Sequence, residues 1–186
     1  MKPSGEVRII GGLWKRSKLP VANLPGLRPT PDRVRETLFN WLGQDLSGWH
    51  CVDPFAGTGA LGFEAASRGA ASVLLGENNS ACIEVMQKNA QRLKATQIRM
   101  QRGDGISMLR QQAPGSVDLV FLDPPYDFPG YDTCLQLSLA CLKPGGFAYL
   151  ESANAWPAET LQAAGWRLHK HLKAGAVHAH LLQSAA

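Results

Sequence analysis

From residue 50 onward, short apolar runs alternate with segments whose apolar residues recur at helical spacing. Short runs rich in Val, Leu and Ile between turn residues are typical of buried strands, and the longer periodic segments are typical of helices. The predicted strands are 51–53, 72–76, 97–102, 117–122, 146–151, 166–171 and 176–182. The predicted helices are 60–68, 80–93, 106–112, 131–141 and 157–164.

This order of elements predicts the fold class. Strand and helix alternate five times, which indicates a mostly parallel, doubly wound α/β sheet of the Rossmann-like kind. The last two of the seven strands follow each other directly, with Gly175 in the turn between them. They therefore form a hairpin, and the last strand is predicted to be antiparallel.

The amino-terminal part has a different pattern. Residues 7–10 and 13–19 flank Gly11-Gly12, which predicts a β-hairpin with a two-residue turn, and 20–29 is a loop rich in Pro and Gly. Thr30-Pro31 resembles an N-cap followed by proline at the first helical position. In the helix that follows, one face contains the apolar residues Val34, Leu38 and Trp41 or Leu42, and Arg33 and Arg35 need not share it. We expect two parts: a basic arm, 1–29, with hairpin and loop, and a catalytic domain, 30–186.

Composition narrows the class of protein. Hydrophobic residues make up 45% of the 186, which is enough for a proper core. The sequence contains no apolar run of about 18 residues, so we expect no membrane partner. The four cysteines are scattered without a C-x-x-C pair, which indicates reduced core thiols in a cytoplasmic protein. His169, His171, His178 and His180 alternate on the last two strands and are expected to line one sheet face rather than bind metal. We expect a monomer.

Charge is concentrated at the amino terminus. Residues 1–35 contain eight Lys or Arg and two acidic residues, a net charge of +6, whereas the other 151 residues contain eleven and thirteen, a net charge of −2. Such an asymmetry favours a nucleic-acid partner, although a solvated surface segment would give the same pattern. An aromatic ring among cations, as at Trp14, adds a stacking surface. The predicted RNA-binding residues are Arg8, Trp14, Lys15, Arg16, Lys18, Arg28 and Arg33.

The predicted strand 117–122 ends at Asp123-Pro124-Pro125-Tyr126. Two prolines cannot continue a sheet, so the chain must leave it there and present the Asp123 carboxylate, the Pro124 carbonyl and the Tyr126 ring at the carboxyl end of the strand. Open α/β sheets bind ligands at this edge. Two acceptors beside an aromatic face suit a planar amine, although a simple Asp-Pro turn is the alternative interpretation. Asp123, Pro124 and Tyr126 are the predicted catalytic residues.

A glycine-rich segment, residues 53–62, joins the first strand of the alternating region to its helix. Gly57 and Gly59 allow close backbone approach to a ligand. The segment also fits the spacing G-x-G-x-x-G, which by itself is a weak signal, and no Gly-Lys-Ser/Thr follows that would make it a phosphate-binding P-loop.

Acidic residues close the first three strands of the alternating region: Asp53, Glu77 and Asp104. A carboxylate after the second strand suits a ribose diol, and negative charge near the loop suits a cationic ligand such as S-adenosylmethionine. The Phe55 ring can face the sulfonium or line the pocket. A nicotinamide dinucleotide is the second candidate and leaves Asp123 without a role. The predicted cofactor-binding residues are Asp53, Phe55, Gly57, Gly59, Glu77, Asp104 and Asp123.

Together these motifs resemble a known family. The segment 53–62, the two acidic residues that follow it and Asp123-Pro124-Pro125-Tyr126 resemble class I S-adenosylmethionine-dependent methyltransferases that act on amines. Residues 8–12 and 27–42 are similar to the bacterial methyltransferases that modify the exocyclic N2 of a guanine in 16S ribosomal RNA. The resemblance covers residues 7–183 and implies 16S rRNA or the assembling small subunit as partner, S-adenosylmethionine as cofactor and no metal.

Two other functions use part of the same sequence. A methyltransferase acting on DNA, or on another exocyclic amine such as adenine N6, would use the same Asp-Pro-Pro-Tyr turn, but the 186 residues contain no separate target-recognition domain. A non-catalytic RNA-binding module would explain the basic arm alone.

Overall fold

The computed structural model describes residues 5–185 and contains every element predicted from residue 50 onward. The strands are β1 (Glu6–Arg8), β2 (Lys18–Pro20), β3 (His50–Asp53), β4 (Ser72–Glu77), β5 (Ile98–Arg102), β6 (Val117–Leu122), β7 (Leu142–Ser152), β8 (Trp166–Ala174) and β9 (Val177–Ser184). The helices are α1 (Asp32–Leu42), α2 (Ala60–Ser67), α3 (Ser80–Leu93), α4 (Gly105–Arg110), α5 (Tyr131–Cys141) and α6 (Ala158–Ala163).

The central sheet has seven strands in the order β5-β4-β3-β6-β7-β9-β8. The first five of these run parallel to one another, and β9 is antiparallel to both β7 and β8. The Rossmann-like prediction with an antiparallel last strand is therefore confirmed. The final hairpin adds β9 inside the sheet and leaves β8 at its edge.

Helices cover both faces of the sheet. One hydrophobic cluster contains buried residues of α1, α2 and α3, and a second contains those of α4, α5 and α6. The central strands β3 and β6 lie between the two clusters and are mostly buried, which explains their largely apolar sequences. Within residues 5–185, no helix combines the length and apolarity that a membrane crossing requires.

The predicted two-residue turn of the amino-terminal hairpin is wrong. β1 pairs antiparallel with β2, but residues 9–17 connect them as a loop that packs on the end of α2. Leu13 N–H donates to Ser67 O at 2.7 Å, and a Cβ at Gly12 would lie 1.9 Å from that same oxygen. The two glycines therefore serve close approach to α2 instead of a tight turn.

The start of α1 also differs from the prediction. The N-cap position belongs to Pro31, and the Thr30 hydroxyl points instead toward Asp123 Oδ2 at 3.4 Å. The predicted apolar face is confirmed, since Val34, Leu38 and Leu42 are buried. Arg35 is buried on the same helix because it forms ion pairs inside the protein.

The histidine prediction is partly wrong. His171, His178 and His180 form a ring cluster on one face, with centroids of His171 and His180 4.8 Å apart. A register shift between Leu168 and Lys170 turns His169 toward Phe147 on the other face. Within the described residues, no group of three or more His, Cys, Asp or Glu side chains is placed to hold a metal ion.

Candidate active site

The candidate active site lies at the carboxyl ends of β3 and β6, where the strand order reverses. After β3 the chain builds β4 and β5 on one side, and then returns to place β6 on the other side of β3. This topological switch point opens a crevice between neighbouring strand ends. Asp53 is the last residue of β3, and Asp123 directly follows β6. Glu77 is the last residue of the neighbouring strand β4.

The glycine-rich loop adopts a conformation that requires its glycines. Gly57 and Gly59 have φ angles of 54° and 80°, in the left-handed region. A Cβ at Gly59 would lie 2.8 Å from the Met86 sulfur, so a larger residue would also push the buried Met86 side chain of α3 aside. Gly57 N–H donates to Glu77 Oε2 at 2.9 Å, which ties the loop to the end of β4.

Glu77 keeps acceptor capacity for a ligand. Its two oxygens accept N–H bonds from Gly57 and Asn79, at 2.9 and 3.0 Å, and the residue is half-buried. Since a carboxylate offers about four lone-pair sites, each oxygen can take one further donor, as a ribose diol requires. The acceptor capacity of Glu77 therefore fits the ribose hydroxyls of an adenosine group.

Asp104 is an exposed N-cap of α4. Its Oδ2 accepts the Ser107 N–H and hydroxyl, both at 2.8 Å, and these hydrogen bonds lower the pKa of its carboxyl. It therefore stays ionised at the rim of the crevice. Gly105, next to it, sits so close to the Phe55 ring that a Cβ would lie 2.7 Å away.

Phe55 connects the cofactor loop with the turn after β6. Its ring packs edge-to-face on Phe128 with centroids 5.1 Å apart, and Phe128 packs in the same way on Tyr131 at 5.7 Å. Phe128 is not among the residues predicted from the sequence, because its position three residues before α5 belongs to no helical or strand periodicity.

The Asp123-Pro124-Pro125-Tyr126 turn leaves the sheet as predicted. Pro124 is buried, whereas the Tyr126 side chain projects outward with 82% of its surface exposed. Asp127 has a φ of 63°, and Phe128 N–H donates to Pro125 O at 3.2 Å, which closes the turn. An aromatic ring this exposed beside a carboxyl group offers a stacking surface for a planar base.

Asp53 lies beneath the loop and is 1% exposed. Its Oδ1 accepts the Phe55 N–H at 3.3 Å. Burial raises the pKa of Asp53 to about 7; the Phe55 N–H opposes this shift, and the charges of Glu77 and Glu151 add to it. Its contact with a cofactor stays a prediction, and the hydrogen bond shows that it supports the loop.

A second set of polar groups surrounds Asp123 and was not identified from the sequence. Glu151, near the end of β7, is 9% exposed, and its Oε1 accepts the Tyr149 hydroxyl at 2.5 Å. Tyr131 donates to the Glu151 backbone carbonyl at 3.1 Å. Burial raises the pKa values of both Asp123 and Glu151. Glu151 ends a predicted parallel strand, as Asp53 and Glu77 do, and that position was the available signal.

The predicted RNA-binding residues fall into two places. Arg28 and Arg33 are exposed and flank Thr30, whose hydroxyl donates to Asp123 in the candidate active site. Lys15 and Arg16 are exposed on the loop that packs on Ser67. Since α2 starts at the carboxyl edge of the sheet and its eight residues span about 12 Å, its end lies toward the opposite edge.

The remaining predicted RNA contacts are partly engaged within the protein. Arg8 forms an ion pair with Asp32 at 3.2 Å and Lys18 one with Glu6 at 3.3 Å. Trp14 is half-buried, packs against the hydrophobic core and donates its backbone N–H to Ser67 Oγ at 2.9 Å. These three residues have less freedom to contact RNA than the sequence suggested, and their RNA role stays a prediction.

Comparison with known proteins agrees with this geometry. The profile of the family described as "Conserved hypothetical protein 95" matches residues 7–183. The chain is 42% identical to "Ribosomal RNA small subunit methyltransferase D" of Haemophilus influenzae, over 97% of this chain and 95% of the relative. The protein of the same name from Escherichia coli K12 is also 42% identical, over 98% and 92%.

Solved structures show the same fold. A putative methyltransferase, yhhF, from Escherichia coli superposes with a TM-score of 0.83 at 37% identity, covering 98% of this chain and all of that one. A putative methylase from Haemophilus influenzae gives a TM-score of 0.81 at 37% identity with the same coverage. The resemblance seen in the sequence is thus confirmed, and the chain belongs to the Conserved hypothetical protein 95 family, together with the small-subunit ribosomal RNA methyltransferase D proteins.

Proposed function

We propose that this protein transfers a methyl group from S-adenosylmethionine to the exocyclic N2 amine of a guanine in the 16S rRNA of the small ribosomal subunit. The observation that carries the proposal is the position of Asp123, Pro124 and the exposed Tyr126 directly after β6, the neighbour of β3, whose end leads into the glycine-rich loop. The names of the relatives support rRNA as substrate. Action on ribosomal subunits implies a cytoplasmic protein.

The acceptor side of the reaction follows from the chemistry of the amine. The lone pair of a guanine N2 is delocalised into the ring, so the amine is a poor nucleophile. If Asp123 and the Pro124 carbonyl accept its two N–H bonds, they favour the pyramidal geometry that attack requires. The nitrogen gains positive charge in the transition state, and a negative charge on the Asp123 carboxyl or directly beside it stabilises this charge electrostatically.

The cofactor supplies the methyl group when bound. Glu77 would accept the ribose hydroxyls, Asp104 would lie near the adenosine, and the Gly57–Gly59 backbone would border the rest of the molecule, with Phe55 lining the crevice. The left-handed glycines and the acceptor capacity of Glu77 support this fit. Most of the rate would then come from holding the amine and the methyl group in line.

RNA binding requires that the target base leave its stack. A base inside a helix cannot reach a carboxyl group at the bottom of a crevice, so the nucleotide must be flipped, and Tyr126 would take over the stacking. Arg28 and Arg33, which are exposed, would meet the flanking phosphates, and Lys15 and Arg16 would meet those further away.

Methyl transfer in vitro tests the proposal. Tritiated S-adenosylmethionine is incubated with naked 16S rRNA, isolated small subunits or DNA, and the modified nucleoside is then identified. We expect N2-methylguanosine from one of the RNA substrates, and a loss of at least about 100-fold in Asp123→Ala. Label in N6-methyladenine or in DNA would assign the site to another amine, and no label at all would refute the enzyme.

Cofactor binding is tested separately by calorimetry with S-adenosylhomocysteine. Glu77→Ala removes the proposed ribose acceptor, and its affinity should fall at least about tenfold. Glu84→Ala removes an exposed carboxylate from α3 and should bind like the parent. Equal affinities for all three proteins would remove Glu77 from the cofactor site.

A further inference from the structure

Two carboxyl groups meet at the proposed acceptor site. The side chains of Asp123, at the end of β6, and Glu151, near the end of the neighbouring β7, are within hydrogen-bonding reach of each other. Two carboxyl groups can share a hydrogen bond only if one of them is protonated. Such a contact is favourable when the pair holds one proton and a single negative charge.

The surroundings of the pair contain hydroxyl groups and a further carboxyl. Tyr149 donates to Glu151 Oε1, and the Thr30 hydroxyl lies within reach of both carboxyls, at 3.4 Å from Asp123 Oδ2. Asp53 adds a negative charge from β3, and the Tyr131 hydroxyl of α5 approaches the Glu151 backbone. Across residues 5–185, no Lys, Arg or His forms an ion pair with either carboxyl.

This environment disfavours two negative charges. Burial raises the pKa of Asp123 well above its ordinary value, and the negative charge of Glu151 raises it further. Burial also raises the pKa of Glu151, but hydrogen bonds from Tyr149, Asp123 and Thr30 oppose that shift. The hydroxyl donors thus favour the charge on Glu151 and the proton on Asp123.

We propose that Glu151 is a positioning residue that holds a shared proton against Asp123 and receives it during methyl transfer. This inference rests on the proposed function. When the amine has been methylated, one of its N–H bonds must break, and Asp123 forms a new O–H bond with that proton. The proton already shared moves to Glu151, so the pair ends neutral with two protons and later returns one to water. The pair thus accepts the amine proton without ever carrying two negative charges.

The Tyr149 hydroxyl is part of the same hydrogen-bonded group as Glu151 and Asp123. Tyr149 is fully buried, and within residues 5–185 its hydroxyl donates a hydrogen bond to Glu151 Oε1. By stabilising the ionised form of Glu151, it keeps the shared proton on the Asp123 side in the resting protein. The Thr30 hydroxyl is held beside the pair by Arg35, which donates to the Thr30 carbonyl at 3.0 Å.

The test combines a titration with kinetics. Carbon-13 NMR of the labelled Asp123 carboxyl follows its protonation in the parent, in Glu151→Gln and in the exposed control Glu159→Gln. In Glu151→Gln the Asp123 midpoint should fall by at least about one pH unit, because both influences of Glu151 are gone. The kcat should fall about tenfold or more, with the KM for RNA and the affinity for S-adenosylhomocysteine unchanged. Glu159→Gln should match the parent in every measurement.

Tyr149→Phe provides an independent variant that keeps the buried ring. Loss of the hydroxyl should raise the midpoint of Glu151, the opposite direction from the shift at Asp123 in Glu151→Gln. An unchanged Asp123 midpoint in Glu151→Gln, or an unchanged Glu151 midpoint in Tyr149→Phe, would overturn the shared proton. A normal kcat in Glu151→Gln would overturn its part in turnover. A shifted midpoint in a parent protein that methylates no guanine would instead refute the proposed function and leave the shared proton intact.

Discussion

At the scale of single residues, the pKa of each carboxyl in the candidate site depends on how far that carboxyl is exposed to solvent. Asp104 is exposed and hydrogen-bonded, so its pKa is lowered, whereas Asp53 is buried and its pKa is raised to about 7. Glu77 lies between these extremes, half-buried with two backbone donors. The same side-chain chemistry thus gives a fixed charge at the rim and a titrating group beneath the loop.

Replacement of Asp53 by Asn should make stability less dependent on pH. A carboxyl whose folded pKa is raised stabilises the fold at low pH, and this contribution is lost as pH rises through about 7. The free energy of unfolding of Asp53→Asn relative to the parent should therefore improve by roughly 2–3 kcal/mol between pH 5 and pH 9. Urea unfolding at both pH values measures this, with the exposed Asp132→Asn as control. Parallel curves for the parent and Asp53→Asn would contradict the raised pKa.

The Tyr126 ring should matter for RNA and not for the cofactor. Because stacking needs the ring and not the hydroxyl, Tyr126→Ala should lower kcat/KM for RNA about tenfold or more, whereas Tyr126→Phe should stay within about twofold. Affinity for S-adenosylhomocysteine should be the same in all three proteins. If the alanine and phenylalanine variants lose equal activity, the hydroxyl and not stacking is responsible.

At the scale of elements, the amino-terminal loop and the helix start serve different places. Residues 9–17 pack on the end of α2, while the chain before α1 brings Thr30 to Asp123. A continuous basic arm in the sequence is therefore two separated groups of cations in space. One borders the proposed reaction centre, and the other extends toward the opposite edge of the sheet.

Two double variants test these groups separately. Lys15→Ala/Arg16→Ala and Arg28→Ala/Arg33→Ala should each flatten the salt dependence of RNA affinity by about two units, if each cation meets one phosphate. Lys88→Ala/Arg99→Ala removes two exposed cations from α3 and β5 and serves as the charge-matched control. RNA affinity measured over a range of salt concentrations gives the slopes. A double variant with the parental slope would remove that group from the RNA interface.

At the scale of the whole molecule, a buried ionic cluster joins the amino-terminal part to the sheet domain. Glu64 of α2 is fully buried and forms ion pairs with Arg35 at 2.9 Å and Arg68 at 3.2 Å. The Arg35 guanidinium also donates to the Arg8 carbonyl, and Ile10 N–H donates to Glu64 Oε1. Burial lowers the pKa of Arg35, and the charges of Glu64 and Asp32 oppose that shift.

Loss of the Glu64 charge should destabilise the whole protein. Glu64→Gln leaves two buried guanidinium groups without their shared carboxylate, and breaking such a buried pair costs about 3–5 kcal/mol. Urea unfolding followed by circular dichroism measures the free energy, with Glu84→Gln on the exposed face of α3 as control. A destabilisation below about 1 kcal/mol would show that water or a rearranged side chain replaces the pair.

Features that depend on local sterics and periodicity could be predicted from the sequence alone. The order and type of the elements from β3 to β9, the exit of the chain at Asp123-Pro124 and the left-handed glycines of the loop are properties of short segments. Parallel topology then places the carboxyl ends of β3, β4 and β6 at one edge, so Asp53, Glu77 and Asp123 could be grouped in advance.

Contacts between distant segments depend on the packing of the whole chain and could not be predicted from local sequence. The local sequence predicts Thr30 as a helix cap, but α1 lies close to β6, and the Thr30 hydroxyl donates to Asp123 instead. The local sequence predicts a tight turn at Gly11-Gly12, but the two glycines instead allow the chain to approach the end of α2 closely. From the sequence, Arg35 is one of several cations of the amino-terminal part; its burial beside Glu64 depends on how α1 packs against α2. The pairing of Glu151 with Asp123 depends on β7 being the neighbour of β6, which no pattern within either strand specifies.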